Sequence, residues 1–320
     1  MFFARSLGGK HIPIELNGMN HQVCHRDTCG WPNAGRKGKK HMTQVQFGLT
    51  LSSTTPDLSQ EVFLTRMQAG LEAIVGQFDS VWLGDHLQFG TRPLFEGWTM
   101  LTYLAALHPE FRYGHLVLCQ LFRNPALLAK MAATFQYLSQ GRFILGIGAG
   151  WMEEEATAYH LPFPSAGQRV SALEEQVQII HALWREERVT FEGTYHQVHQ
   201  ASCLPHPEPL PPLLIAGFQP RMLRLVARYA DWWNTGAGID TRDQVRAQVQ
   251  ALDAACEQVG RDPKTLRRTV MVSCYCAPTE QEVKEGTANL RRPLGLDVVG
   301  TPHRSSSSFK RFRNSASSIS

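Results

Sequence analysis

The sequence lacks the features that mark secreted, membrane-spanning and nucleic-acid-binding chains. Its seven cysteines are spread over 320 residues without paired spacing. That excludes a disulfide framework and points to a reducing compartment, the cytoplasm, where cysteines pack as small hydrophobes. No run of 18 apolar residues occurs, and the two Phe after Met1 give way at once to charged and glycine residues. Neither a membrane span nor the apolar stretch of a secretion signal is present. Charge of one sign is scarce where it would matter. The formal net charge is +4, but residues 1–41 carry +5 and 301–320 carry +4, which leaves −5 for 42–300. A body with that balance is no polyanion binder, so no nucleic-acid or membrane partner is expected.

Cofactor and metal signatures are thin. The run Gly146, Gly148, Gly150 begins like a dinucleotide fingerprint, but Trp151 stands where the third glycine is needed, and the acids 20-odd residues on, Glu174 and Glu175, lie in a helical segment. A dinucleotide fold is therefore not expected. His21, Cys24, His25 and Cys29 are ligand types without the paired spacing of a zinc site, Cys274 and Cys276 are too close for a C-x-x-C pair, and the first strand carries no His-x-His. No metal is expected.

What the chain does have is alternation. It is 43% hydrophobic and 19% charged, enough apolar surface for a sizeable core. From Met42, which itself reads as a possible start, short apolar runs at 45–50, 80–84, 112–118, 142–147, 213–216, 231–234 and 267–276 alternate with segments of helical period at 59–76, 95–107, 124–139, 169–186, 219–230, 241–258 and 279–290. That pattern is the signature of βα units around a parallel sheet, an α/β, TIM-like barrel. Residues 188–198 alternate with period two around Glu192-Gly193 and read as an inserted β-hairpin. With the loop 196–212, the hairpin is expected to set specificity. The count stops one strand short: after 279–290 comes LDVVGTPHR and a basic tail with eight serines in its last twenty residues. The expected domains are a disordered extension over 1–41, a barrel over 42–300 truncated before its eighth strand, and a disordered Ser-rich tail over 301–320.

In such barrels chemistry gathers where the strands end. The predicted strands run into Asp85-His86, Gly148-Ala149-Gly150-Trp151, Ala216-Gly217-Phe218-Gln219 and Asn234. The glycines let backbone approach a flat or phosphorylated ligand, and a helix starting near Gln219 offers amides to a phosphate. His86, with a carboxylate beside it, suits proton exchange, although a histidine after a strand also serves as a plain structural or exposed group. Trp151 reads as a pocket wall. The triplet Glu153, Glu154, Glu155 reads as a solvated helix start.

Five segments carry a family resemblance: FDSVWLGDHL (78–87), FRNPALLAKMAATFQYLSQGRFILGIGAGW (122–151), LPFPSAGQRVSALEE (161–175), VTFEGTYH (189–196) and LVARYADWWN (225–234). From about Val45 to Pro302 the sequence resembles the bacterial-luciferase-like flavin and deazaflavin oxidoreductases, and within them the branch that uses coenzyme F-420. The resemblance implies a barrel with an insertion, usually a homodimer, and hydride transfer to or from a small organic substrate at a ring held in the barrel mouth. It implies that Asp85 and His86 lie beside the ring, with His86 as the acid/base, and that Leu116–Val117 is a non-prolyl cis peptide buttressing it. It further implies ring contacts from Gly148 and Ala149, a place near the cofactor side chain for Glu154, and a phosphate turn at Ala216, Gly217 and Phe218. Trp151 stands where one sugar-phosphate-oxidising branch has a catalytic Glu. The alternatives are an FMN-dependent monooxygenase on the same barrel and an inactive truncated remnant.

Overall fold

A computed structural model describes residues 2–6, 45–54, 59–236, 242–288, 296–301 and 305. In chain order, β1 (Phe2–Ser6) and β2 (Phe47–Thr50) precede α1 (Gln60–Ile74), β3 (Ser80–Leu83), α2 (Gly97–Leu107), β4 (Arg112–His115), β5 (Leu118–Cys119) and α3 (Pro125–Leu138). Then come β6 (Phe143–Gly148), α4 (Glu153–Ala158), α5 (Ala166–Leu183), the hairpin β7 (Val189–Glu192) and β8 (Gln197–Ala201), β9 (Leu213–Ala216) and α6 (Pro220–Tyr229). The last elements are β10 (Trp232–Thr235), α7 (Arg242–Gln258), β11 (Arg267–Cys276), α8 (Glu280–Thr287) and β12 (Leu296–Gly300).

Local chemistry explains where several helices start. The Asn124 side chain accepts the Ala126 and Leu127 amides, and Pro125 takes the first helical position of α3, where a missing N–H costs nothing. Ser165 and Gln168 close a reciprocal capping box on α5.

Apart from the antiparallel hairpin and two isolated bridges, the strand pairings are parallel. The order β2-β3-β4-β6-β9-β10-β11 is closed by β1, which pairs with β2 on one edge and β11 on the other. The fold is a TIM-like barrel with an inserted hairpin, and its eighth place is filled from the opposite end of the chain to the one expected. Phe2–Ser6 was expected to lack structure; its backbone instead satisfies the rows of N–H and C=O groups that β2 and β11 would otherwise leave open. Leu296–Gly300, not read as a strand, pairs with Val272–Cys276. Val270 pairs with both Thr235 and Phe2, so β1 has one edge of β11 to itself while β10 and then β12 share the other. The rest of the expected extension and Ser-rich tail lies outside the described residues, apart from Thr301 and Ser305.

Two apolar layers hold the barrel. Trp82, Ile144, Leu214 and Trp232 form a cluster with no helical member that fills the inside, against Leu116, Val117 and Met271. The Trp82 indole N–H donates to Ser80 Oγ at 2.7 Å, so its burial strands no polar group. The larger layer lies between strands and helices and includes Leu101, Leu104, Leu128, Phe135, Phe143, Ile180 and Val226. Each such side chain contributes roughly 1.5–3 kcal/mol on burial.

The insertion does not reach the mouth. Glu175, midway along α5, accepts the Thr194, Tyr195 and His196 amides at 2.8–2.9 Å and clamps the hairpin turn to the outside of that helix. Gln136, in the last turn of α3, donates to Pro209 O at 2.8 Å and accepts the Phe143 amide at the start of β6. The loop after the hairpin therefore packs beside strand N-termini, which corrects the expectation that this insertion lines the substrate site.

Candidate active site

Because the barrel pairings are parallel, the ends of β3, β5, β6, β9 and β10 open on one rim. The turn after β3 carries His86. Its Nδ1 lies 3.1 and 3.3 Å from the two Glu155 oxygens, and one of these also accepts the Leu87 amide at 3.0 Å. An ionised carboxylate only accepts, so Nδ1 holds the proton in this pair and Nε2 is left for a ligand. The Glu155 side chain is 4% exposed and that of His86 is 26% exposed, so the pair has a buried member and an accessible one. Phe89 and Trp151 stand edge-on to the imidazole at 5.5 and 5.6 Å between centroids.

Asp85, one residue earlier, is engaged differently. It is buried and forms a two-pronged pair with Arg123 at 2.7 and 2.9 Å, and it accepts the Cys119 amide at 2.9 Å. Burial pushes its carboxyl up, against the pull of Arg123 and the Cys119 amide. Arg123 also reaches Glu96 at 2.7 Å, and Glu96 caps α2 by accepting the Trp98 and Thr99 amides. Burial acts against the Arg123 charge, but the two carboxylates outweigh it and hold the guanidinium above its ordinary value. Burial also works against the Glu96 charge, yet the Thr99 and Trp98 hydrogen bonds and Arg123 together bring that carboxyl below its usual range. This network ties the turn after β3 to β5 and to the starts of α2 and α3.

The Leu116–Val117 bond is cis. Gly148 lies against it: a Cβ there would come within 2.8 Å of Val117 Cγ2, so only glycine lets β6 approach this closely. Gly217, at φ +147°, turns the chain after β9, and its carbonyl accepts the Trp233 indole N–H at 2.7 Å. α6 then starts at Pro220 with no side-chain cap, leaving its first amides to a ligand. Ala149 packs against the core, while Ala216, Phe218 and Trp151 have accessible surface, Trp151 at 65%.

The rim thus gathers His86, Leu116, Val117, Gly148, Ala149, Trp151, Ala216, Gly217 and Phe218. Asp85 lies behind it, and Glu154 is exposed on α4 beside the buried Glu155. Glu155, Arg123 and Glu96 were missed from sequence. No local pattern singles them out: three consecutive glutamates carry no period that picks the inward one, and Arg123 joins Asp85 and Glu96 only in the folded chain. Among the described residues no group of three or more His, Cys, Asp or Glu gathers as a metal site; His21, Cys24, His25 and Cys29 lie outside them. A concavity at the opposite rim, lined by Gln46, Asp79, Glu110, Arg112 and Arg142 among others, sets acids against arginines and contains no strand C-terminus.

Fold and rim together define a class, a parallel α/β barrel whose accessible polar and glycine-lined turns gather at the C-terminal ends of its strands. The family model of luciferase-like monooxygenases matches residues 75–318, and the chain belongs to that family. Its curated relatives include a protein from Kineococcus radiotolerans named F-420-dependent glucose-6-phosphate dehydrogenase, 36% identical over 68% of this chain and 65% of the relative. Another, from Mycobacterium tuberculosis, is named phthiodiolone/phenolphthiodiolone dimycocerosates ketoreductase and is 32% identical over 70% of this chain and 64% of the relative. The chain therefore spans just under two thirds of the length of these relatives. Among solved structures, an F-420-dependent secondary alcohol dehydrogenase superposes with TM-score 0.65 at 20% identity, covering 84% of this chain and 82% of that one. A monooxygenase from Streptomyces bottropensis gives 0.71 at 22%, covering 84% and 89%. These two likenesses are ones of fold.

Proposed function

We propose that the chain is an oxidoreductase that passes a hydride between a deazaflavin of the coenzyme F-420 type and a small organic substrate, a carbonyl compound in one direction and an alcohol in the other. The observation that carries this reading is the His86 imidazole, pinned through Nδ1 by Glu155 and offering Nε2 at the rim where the cis bond and both glycine turns open. The relatives named as an F-420-dependent dehydrogenase and as a ketoreductase support it.

The residues suit a flat, phosphorylated group. The absent Cβ at Gly148 leaves a close-fitting wall beside Val117, and the uncapped start of α6 suits a phosphate. Leu116, Val117, Gly148 and Ala149 seat the ring, Ala216, Gly217 and Phe218 take the phosphate, and Glu154 stands by the cofactor's side chain. When bound, the reduced deazaflavin supplies a hydride. His86 supplies the proton: protonated on both nitrogens, it gives the Nε2 proton to the carbonyl oxygen as the carbon is reduced. It ends as the Nδ1–H tautomer that Glu155 holds, and alcohol oxidation runs the same transfer backwards. Asp85 acts as a positioning residue through Arg123 and the Cys119 amide.

The partner is a second copy of the chain, docking on α2 and α3. Their outer faces expose Tyr103, Leu107, Leu127, Tyr137 and Leu138, while the exposed Lys130 already donates to Leu204 O. A two-fold across this face would cover that apolar surface. Among the described residues no helix is long and apolar enough to cross a membrane, and the cytoplasm is the compartment we assign.

Titrating the full chain with F-420 and with FMN while following tryptophan fluorescence tests the reading; saturable, stoichiometric quenching by F-420 is expected. The second reading, an FMN-linked monooxygenase, is favoured by the family match and by monooxygenases among the fold neighbours. Quenching by FMN alone, with oxygen uptake when a reductant is added, would select it. Silence with both cofactors would leave a non-catalytic remnant.

A further inference from the structure

From the surroundings of His86 we infer the substrate class: a neutral carbonyl compound or secondary alcohol with an apolar, preferably aromatic, substituent, and not a phosphorylated sugar. This inference rests on the redox reading above. Phe89 and Trp151 both stand edge-on to the imidazole, at 85° and 84°, so a group that reaches the imidazole meets aromatic surface. Trp151 is 65% exposed. An indole left in water beside a site is costly surface that a bound apolar group would cover.

The buried charged groups around the imidazole are already committed. Asp85 is filled by Arg123 and the Cys119 amide, Arg123 by Asp85 and Glu96, and Glu155 by His86 and the Leu87 amide. A sugar needs partners for several hydroxyls, and each one buried without a partner costs about 1–3 kcal/mol. Charge points the same way. Glu153 and Glu154 are exposed in the first turn of α4, next to Trp151, and their negative field disfavours a phosphate. Arg92 lies over the Phe89 ring at 5.6 Å and packs on one aromatic wall.

The test has a binding arm and a turnover arm. Saturation-transfer NMR on the full chain, with 1-phenylethanol and glucose 6-phosphate as probes, is expected to show transfer to the aromatic alcohol and none to the sugar phosphate. The signal should be lost in Trp151→Ala. That side chain is exposed, so the variant should fold, and circular dichroism checks that it does. With oxidised F-420 added, 1-phenylethanol should be oxidised with kcat/KM at least about tenfold above that for glucose 6-phosphate, and Trp151→Ala should raise its KM about tenfold with little change in kcat. Transfer to, or preferred turnover of, glucose 6-phosphate overturns the inference, as does an unchanged KM in Trp151→Ala. If F-420 and FMN both fail to quench tryptophan, the redox reading falls, and the NMR arm alone still decides the ligand class.

Discussion

With Nδ1 committed to Glu155, the His86 imidazole has one nitrogen left for chemistry, and its tautomer depends on a single buried carboxylate. Glu155→Gln keeps an acceptor for Nδ1–H but removes the charge opposite the imidazolium, whereas Glu155→Leu removes both and also strands the Leu87 amide. The expected losses in kcat/KM for F-420-linked turnover are about tenfold for Gln and about 100-fold for Leu; equal activity in all three proteins would remove Glu155 from the mechanism. His115 offers a second single-residue test, this time of stability. It is fully buried, stacks on Trp98 at 5.3 Å, and burial, with help from Arg123, pushes its pKa down from 6.5 to about 3. Between those two values the unfolded chain takes up a proton that the folded chain refuses, so stability falls as the pH drops from 6.5 towards 3. At pH 5 the cost is about 2 kcal/mol. His115→Phe keeps a ring against Trp98 and removes the titration, so urea unfolding at pH 7.5 and pH 5 should show a smaller acid penalty in the variant.

Elements differ in how much they need from their neighbours, and that decides what could be read before the fold was known. β6 can approach the cis Leu116–Val117 bond only because Gly148 has no side chain. Gly148→Ala should fold with a loss of about 1–3 kcal/mol from overpacking and bind F-420 about tenfold more weakly, which fluorescence titration measures directly. The core strands and most helices were legible because each carries its own signal: the apolar runs at 213–216 and 267–276 coincide with β9 and β11, and Asn124-Pro125 announces α3. The turn after β3 was legible through Asp85-His86, but not how its two side chains are engaged. Two adjacent side chains leave a turn in different directions, and which carboxylate meets the imidazole depends on α4, a six-residue helix with no side-chain cap. Three consecutive glutamates give no period from which to pick the inward one. The hairpin was legible as a hairpin from its alternation. Its seat was not, because the Glu175 clamp joins residues about twenty apart that no local pattern links.

At the scale of the whole molecule, the barrel's closure depends on a segment that no sequence pattern singled out. Phe2–Ser6 pairs along both edges, with Ala4 opposite Leu49 on β2 and opposite Val272 on β11, so its backbone completes a ring that would otherwise expose two parallel edges. The C-terminal segment Leu296–Gly300 cannot take that place, because it lies on the edge of β11 that β10 already uses. If β1 closes the barrel in solution, removing a ladder donor at its centre must be felt by the whole fold. Ala4→Pro deletes an N–H within a strand paired on both sides and leaves a ladder carbonyl unpaired, which costs about 1–3 kcal/mol. For a large domain that corresponds to a fall in melting temperature of about 2–12 °C. Ala4→Val keeps the N–H and the strand preference and should melt close to the unaltered chain. Calorimetry on the three full-length proteins decides the matter: a lower midpoint for the proline variant alone ties the N-terminal strand to the barrel, whereas three coincident transitions would mean that the ring closes without it.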